Sequence, residues 1–141
     1  MTDLRSELEA WCRSYVAAFE RYEAEAIAAH WAFPALTTQA GRSFAFKSEE
    51  HFAKNTGRLL GFYQAQHVEH VQREVVDILI MGPNAVSMTV KDQMTDAEGG
   101  EIASWQAAYV LQRVDAKWKA VAAVADGEVE AWAQRGTPLG G

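Results

Sequence analysis

The stretch that decides the fold runs from Glu74 to Val124: EVVDILIMGPNAVSMTVKDQMTDAEGGEIASWQAAYVLQRVDAKWKAVAAV. It reads as long consecutive strands joined by turns, with breaks at Gly82-Pro83-Asn84, at Asp96 to Gly100, and at Asp115-Ala116-Lys117 before Trp118. Strands are expected at about 68–81, 85–95, 103–113 and 118–124. Alternation puts Val86, Met88, Val90 and Asp92 on one face, and Trp105, Ala107, Tyr109 and Leu111 on one face of the next strand. Both sets are mostly large and apolar, so they face inward. The opposite faces carry Ser87, Thr89 and Lys91, then Ser104, Gln106, Ala108, Val110 and Gln112. That surface is too small and mixed for a core, yet too sparsely charged for an ordinary solvent face.

Helices precede the strands. Leu4, Leu8, Trp11, Tyr15 and Phe19 recur at three- and four-residue steps, with Thr2 or Asp3 as cap. A second, Ala-rich helix is expected from Ala24 to Trp31, ended by Phe33-Pro34 because the residue before proline leaves helical geometry. A short hairpin follows around Ala40-Gly41. Ser48-Glu49-Glu50 opens a third helix, with a capping hydroxyl and acids beside the positive end of the dipole. Helices first and a bent, mainly antiparallel sheet afterwards make an α+β arrangement in which the helices cover one face of the sheet. Residues 1–125 are read as one α+β domain and 126–141 as a partly disordered extension with a short helix near Glu128 to Gln134.

Composition excludes several classes. The chain has 141 residues, long enough to bury a core without metal or disulfide. A net charge of −6 with no basic run opposes nucleic acid and anionic membrane surfaces as partners. Cys12 is the single cysteine, which suits a reducing compartment. No signal peptide is read in residues 1–20 and no apolar run reaches membrane length, so the expected location is cytoplasmic.

Asp77-Ile-Leu-Ile-Met-Gly-Pro-Asn-Ala85 before the return strand, Tyr109-Val-Leu-Gln-Arg-Val-Asp-Ala-Lys-Trp118, and the helix-helix-hairpin-helix opening resemble the nuclear-transport-factor-2-like superfamily, in its SnoaL-like branch. The resemblance implies a cone-shaped, cystatin-like fold with a cavity at its wide end, commonly as a homodimer, and hosts enzymes, transport factors and binding modules alike. Against the ketosteroid isomerase pattern, Tyr15 falls where a first-helix tyrosine donates to an oxyanion. Ala35 to Gln39 offers no acid where that pattern has its aspartate base, and Tyr109 stands on the strand that carries its second acid. Scytalone dehydratase would ask for convergence of His70, Tyr15 and Tyr109. The epoxide hydrolase relay has counterparts in Asp92 and Arg73 but lacks a third member.

The candidate catalytic residues are therefore His70, Asp92 and Tyr15, and the expected ligand-pocket residues are Tyr15, Trp31, Phe62, Met88, Trp105 and Tyr109. Buried tyrosine hydroxyls seek a partner, in the protein or in a ligand. Histidine is the side chain type suited to proton exchange around neutrality, so His70 is a candidate lone pocket base. Asp92, the one acid in an apolar row, would serve as general acid or base if buried, but is expected at a solvated strand end. His67 and His70, three residues apart on a strand, point to opposite faces, so no metal site is read, and no cofactor.

Two functions follow. One is a pocket protein that binds a small apolar or aromatic molecule, with cofactor-free isomerase, dehydratase or cyclase chemistry. The other is a non-catalytic dimeric binding or assembly module that recruits a protein through its sheet face. A cavity of roughly 300 Å³ or more favours the first. In both, a homodimer is expected through the Gln106, Ala108 and Val110 face.

Overall fold

The computed structural model describes residues 3–139. Two helices, α1 (Leu4–Glu20) and α2 (Ala24–Ala28), lead into the hairpin β1 (Trp31–Gln39) and β2 (Arg42–Phe46), then α3 (Glu49–Ala65). The strands β3 (His70–Gly82), β4 (Ala85–Thr95), β5 (Glu101–Val114) and β6 (Lys117–Val124) follow, and α4 (Asp126–Arg135) closes the chain. The six strands form one curved sheet in the order β2-β1-β6-β5-β4-β3. Every pairing is antiparallel except β1 with β6.

Local chemistry starts the elements where the sequence marks them. Asp3 accepts from Ser6 N at 2.7 Å to cap α1, and Ser48 accepts from His51 N at 3.1 Å to cap α3. Ala40 and Gly41 both take positive φ, as the tight β1–β2 turn requires. The second helix is shorter than its alanine content suggests. It stops at Ala28, and Trp31 opens β1 instead, because His30 O and Trp31 are drawn into pairing with Ala120 of β6. Pro34 then lies inside β1, within the irregular stretch between Trp31 and Leu36 where regular pairing with β6 is interrupted.

The inward faces carry the core. Val86, Met88, Val90, Trp105 and Leu111 are buried, with Met88 against Cys12 of α1 and Trp105 against Trp132 of α4. Asp92 is buried with them, at 4% exposure, and the expectation of a solvated strand end is corrected. β3 is an edge strand, and α1 covers part of its open backbone. Glu20 accepts from Val71 N at 3.0 Å, and Arg5 Nη2 donates to Val75 O at 2.8 Å.

The segment after residue 125 folds onto the same core. Trp132 of α4 is fully buried, with its ring 5.0 Å from Phe62 and 6.1 Å from Trp105. This contact needs Gly127, where a Cβ would stand 2.4 Å from the backbone oxygen of Gln106. A backbone oxygen inside a sheet cannot move aside as a flexible side chain can. Gly127→Ala should therefore lift the start of α4 from β5 and cost about 1–3 kcal/mol, as overpacking does. Equilibrium urea denaturation reads this directly; an unchanged midpoint would contradict the close approach.

Candidate functional site

The sheet register assembles the polar centre. β3 and β4 place Arg73 opposite Asp92, and β4 and β5 place Asp92 opposite Trp105 and Met88 opposite Tyr109. Arg73 Nε and Nη2 donate to the two oxygens of Asp92 at 2.7 and 2.8 Å, and Nη2 also donates to Tyr109 OH at 2.9 Å. Both charged side chains are 5% exposed. The guanidinium lies 4.7 Å from the Tyr109 ring centre and 5.3 Å from that of Tyr15. Burial opposes its charge, but Tyr109 and Asp92 beside it leave its pKa above the ordinary value. Asp92 is thus the partner of a cation rather than a free general base.

Above this pair opens a cavity of about 140 Å³. This is smaller than the roughly 300 Å³ expected of a pocket for a drug-sized ligand, and it has room for a single ring. Tyr15 and Phe19 enter it from α1, Trp31 from β1, and Phe52, Thr56 and Tyr63 from α3. Trp105 and Tyr109 line the sheet side, and Glu128 lines it from α4. Trp31 packs on Phe52 at 4.7 Å and donates from Nε1 to Tyr15 OH at 3.0 Å.

Glu128 is the acid on which the cavity opens. Tyr63 OH and Trp132 Nε1 both donate to its Oε2, the latter at 3.2 Å, and among the described residues no donor reaches Oε1. Burial pushes its pKa up to about 7, against the opposing pull of those two donors. Burial likewise raises the tyrosines at positions 15, 63 and 109, so all three keep their protons at neutral pH.

Tyr15, Trp31, Trp105 and Tyr109 reach the cavity, and two of the expected pocket residues do not. Phe62 lies on another face of α3 from Tyr63 and packs on Trp132. Met88 is fully buried beneath the site, with its Sδ 3.8 Å from Cys12 Sγ. His70 is corrected as a pocket base. The inward residues at this end of β3 are Val71, Arg73 and Val75, so His70 falls on the opposite parity. It is exposed, with Nδ1 3.7 Å from the Glu20 carboxylate. His67 is exposed in the turn before β3. His30 is held by Ala26 O and Ser14 and packs on Trp11 and Tyr15. Neither Glu128 nor Tyr63 stands out in the sequence. The only advance signal of Glu128 is its four-residue step to Trp132, one helical turn away, beside a glycine.

A curved sheet wrapped on helices over an aromatic cavity is the architecture of the nuclear-transport-factor-2-like class. The chain belongs to the NTF2-like protein family DUF6841, whose sequence profile matches residues 6–128. Solved structures agree on the fold. A ketosteroid isomerase-like protein from Erwinia carotovora atroseptica SCRI1043 superposes with a TM-score of 0.64 at 17% identity, covering 88% of this chain and 95% of that one. An NTF-2 like protein of unknown function from Shewanella oneidensis MR-1 gives 0.67 at 7% identity, over 85% and 96%. Aln2 from a Streptomyces species gives 0.68 at 12% identity, over 88% and 90%. A search of curated proteins finds no match. No helix among the described residues is long and apolar enough to cross a membrane.

Because the Arg73–Asp92 pair is buried, removing one partner strands the other. Asp92→Ala should cost about 3–5 kcal/mol, whereas Arg73→Met combined with Asp92→Leu should cost markedly less. A chemical-denaturation cycle tests this: a double variant no more stable than Asp92→Ala would show that the pair does not act as a unit.

Proposed function

We propose that the cone cavity binds a small apolar or aromatic molecule and that Glu128 carries cofactor-free proton transfer on it, of the isomerase, dehydratase or cyclase kind. The observation behind this reading is a carboxyl of pKa about 7 set against aromatic walls. A general acid or base works best when its pKa lies near the working pH. A cavity of about 140 Å³ suits a single-ring ligand, since a void of roughly 150 Å³ takes up benzene. Of the three candidate catalytic residues, Tyr15 remains beside the ligand, Asp92 holds Arg73, and His70 takes no part. Toluene titrated into the protein should shift the indole N–H signals of Trp31 and Trp105 to saturation. The absence of saturable shifts would remove the pocket reading.

The Glu128 assignment carries its own pH signature. Its pKa stands near 7 in the folded protein against an ordinary value of 4.5. The folded state therefore holds this proton more tightly, and stability declines as pH rises from about 4.5 to about 7, then levels off. Glu128→Gln removes this slope. Glu128 is only partly shielded, so the expected gain is modest, about 1–3 kcal/mol near pH 8 and close to none near pH 4. Parallel stability curves for the two proteins across that window would sink the assignment.

A homodimer through the outer sheet face belongs to the same proposal. Cross-strand registry runs Leu79, Ser87, Val110, Ala122 and Leu36 in one row and Thr89, Ala108, Val124 and Thr38 in the next. Leu79, Leu36 and Val124 are 62%, 40% and 48% exposed. Gln106 borders these rows opposite Lys91. Small residues at the centre let a second sheet approach to about 10 Å. A two-fold contact repeats each residue, so Ala108→Arg should bring like charges together and yield monomer. Light scattering that finds a monomeric parent, or a variant still dimeric, would exclude this face. The same surface is what a protein-recruiting module would use. The cytoplasm is the proposed compartment, since the lone Cys12 is buried and calls for no oxidising environment.

A further inference from the structure

Outside the cavity, Ser14 of α1 meets His30, in the turn between α2 and β1, through a hydrogen bond whose direction is fixed. His30 Nδ1 lies 2.7 Å from the backbone oxygen of Ala26, and His30 Nε2 lies 2.8 Å from Ser14 Oγ. A carbonyl oxygen only accepts, so the ring proton sits on Nδ1. In the neutral ring Nε2 then carries a lone pair, and Ser14 must be the donor. A hydroxyl aims its proton at a base, and a third group orients that base from behind. This is the arrangement that activates a nucleophile.

The surroundings hold the pair and keep the base ready. The His30 ring packs edge-on against Trp11 and Tyr15 of α1, with ring centres 5.7 and 5.3 Å away. Burial pushes the His30 pKa below its ordinary value. The hydrogen bond to Ala26 O opposes that shift, and the positive charges of Lys119 on β6 and Arg21 after α1 add to it. Tyr15 keeps its proton. His30 is therefore neutral, and free to take a proton, near neutral pH. Lys119 Nζ donates to Ala29 O, next to His30 in the chain, so a cation stands on this side of the pair. It favours negative charge that develops on an attacked carbonyl beside the ring. Ser14 itself is exposed.

We propose that Ser14 and His30 form a second, surface site that takes acyl groups from small, unhindered esters, with Ser14 as nucleophile and His30 as base. Ser14 Oγ bonds to the ester carbonyl carbon while its proton passes to His30 Nε2. The bond from that carbon to the alcohol oxygen then breaks, and the leaving oxygen takes the proton. Water removes the acyl group from Ser14 by the same exchange, which frees the acid and restores the hydroxyl. Neither residue lines the cone cavity or the cleft between α1 and β3. No walled pocket selects the acyl chain, so access to the hydroxyl decides, and short chains are favoured. The site is independent of the cavity and of Glu128.

Two probes test it: an alkyl fluorophosphonate, which caps activated serines, and para-nitrophenyl acetate. Peptide mapping by mass spectrometry should place the phosphonyl group on Ser14. Ser14→Ala, which removes one exposed atom, should abolish that label and slow ester hydrolysis about a hundredfold, the low end of what a positioned base contributes. His30→Gln should slow labelling of Ser14 by a similar factor. A further measurement needs no variant. In the parent protein the labelling rate should climb with pH as His30 loses its proton and level off by neutrality. Label absent from Ser14, hydrolysis unchanged in Ser14→Ala, or a labelling rate that follows hydroxide concentration through neutrality without levelling would each overturn the proposal.

Discussion

The ion pair between Arg73 and Asp92 organises the rest of the site. A guanidinium taken out of water costs several kcal/mol unless its charge is matched and its N–H groups are engaged. Here Asp92 matches the charge with two hydrogen bonds, Tyr109 adds a third, and the faces of Tyr15 and Tyr109 flank the cation. The bidentate geometry ties β3 to β4 from inside the cone and sets the position of the Tyr109 hydroxyl. It also leaves the base of the cavity neutral. Glu128 is then the group whose charge can change near neutral pH, which is the arrangement a proton-transfer site needs.

Glu128 depends in turn on how α4 docks. β6 runs parallel to β1, so the chain emerges from the sheet beside β1 and turns straight into α4 across the cone. Gly127 lets that turn press against β5, and Trp132 anchors the helix one turn further on. The Trp132 indole then donates to the same carboxylate oxygen that Tyr63 reaches from α3. One acid thus connects two helices on either side of the cavity, and its ionisation is coupled to the closure of the wall that contains it.

How much of this is legible in the sequence depends on range. The strands, the turn at Gly82-Pro83-Asn84 and the inward row through Val86, Met88 and Val90 follow from a period of two and from turn residues, both local signals. Tyr15, Trp31, Trp105 and Tyr109 can be placed near the cavity because they belong to such rows. The Arg73–Asp92 partnership cannot be found this way. Projected from Gly82 opposite Ala85, the register would set Asp92 against Val75. Two irregularities in β3, between Val75 and Asp77 and between Ile80 and Gly82, move Arg73 into that position. No residue pattern announces them. Trp31 reads locally as the end of a helix because alanine favours helix, whereas pairing with Ala120 is a long-range term that prevails. Glu128 is hidden for a related reason. A short helix after the last strand has no fixed destination until a buried tryptophan and a glycine contact are seen to dock it.

Several departures from good packing meet at the cavity. The rest of the core is filled by apolar side chains, with helix caps and covered strand edges where they are needed. Around the cavity stand a void of about 140 Å³, an acid with its pKa near 7, and a buried Arg73 Nη1 with no hydrogen-bond partner among the described residues. A void of that size alone costs on the order of 3 kcal/mol relative to a filled core. Substituting a larger apolar residue for Thr56 would be an accessible route to greater stability. This core instead keeps a hollow, a titratable acid and two phenols with protons to donate, while buried Trp11 Nε1 and Thr137 Oγ1 go without partners elsewhere among the described residues. Local violations of this kind are enriched at functional sites, which is the physical support for the proposed one. For this chain the hollow, the acid with the raised pKa and the two phenols coincide in the cone cavity.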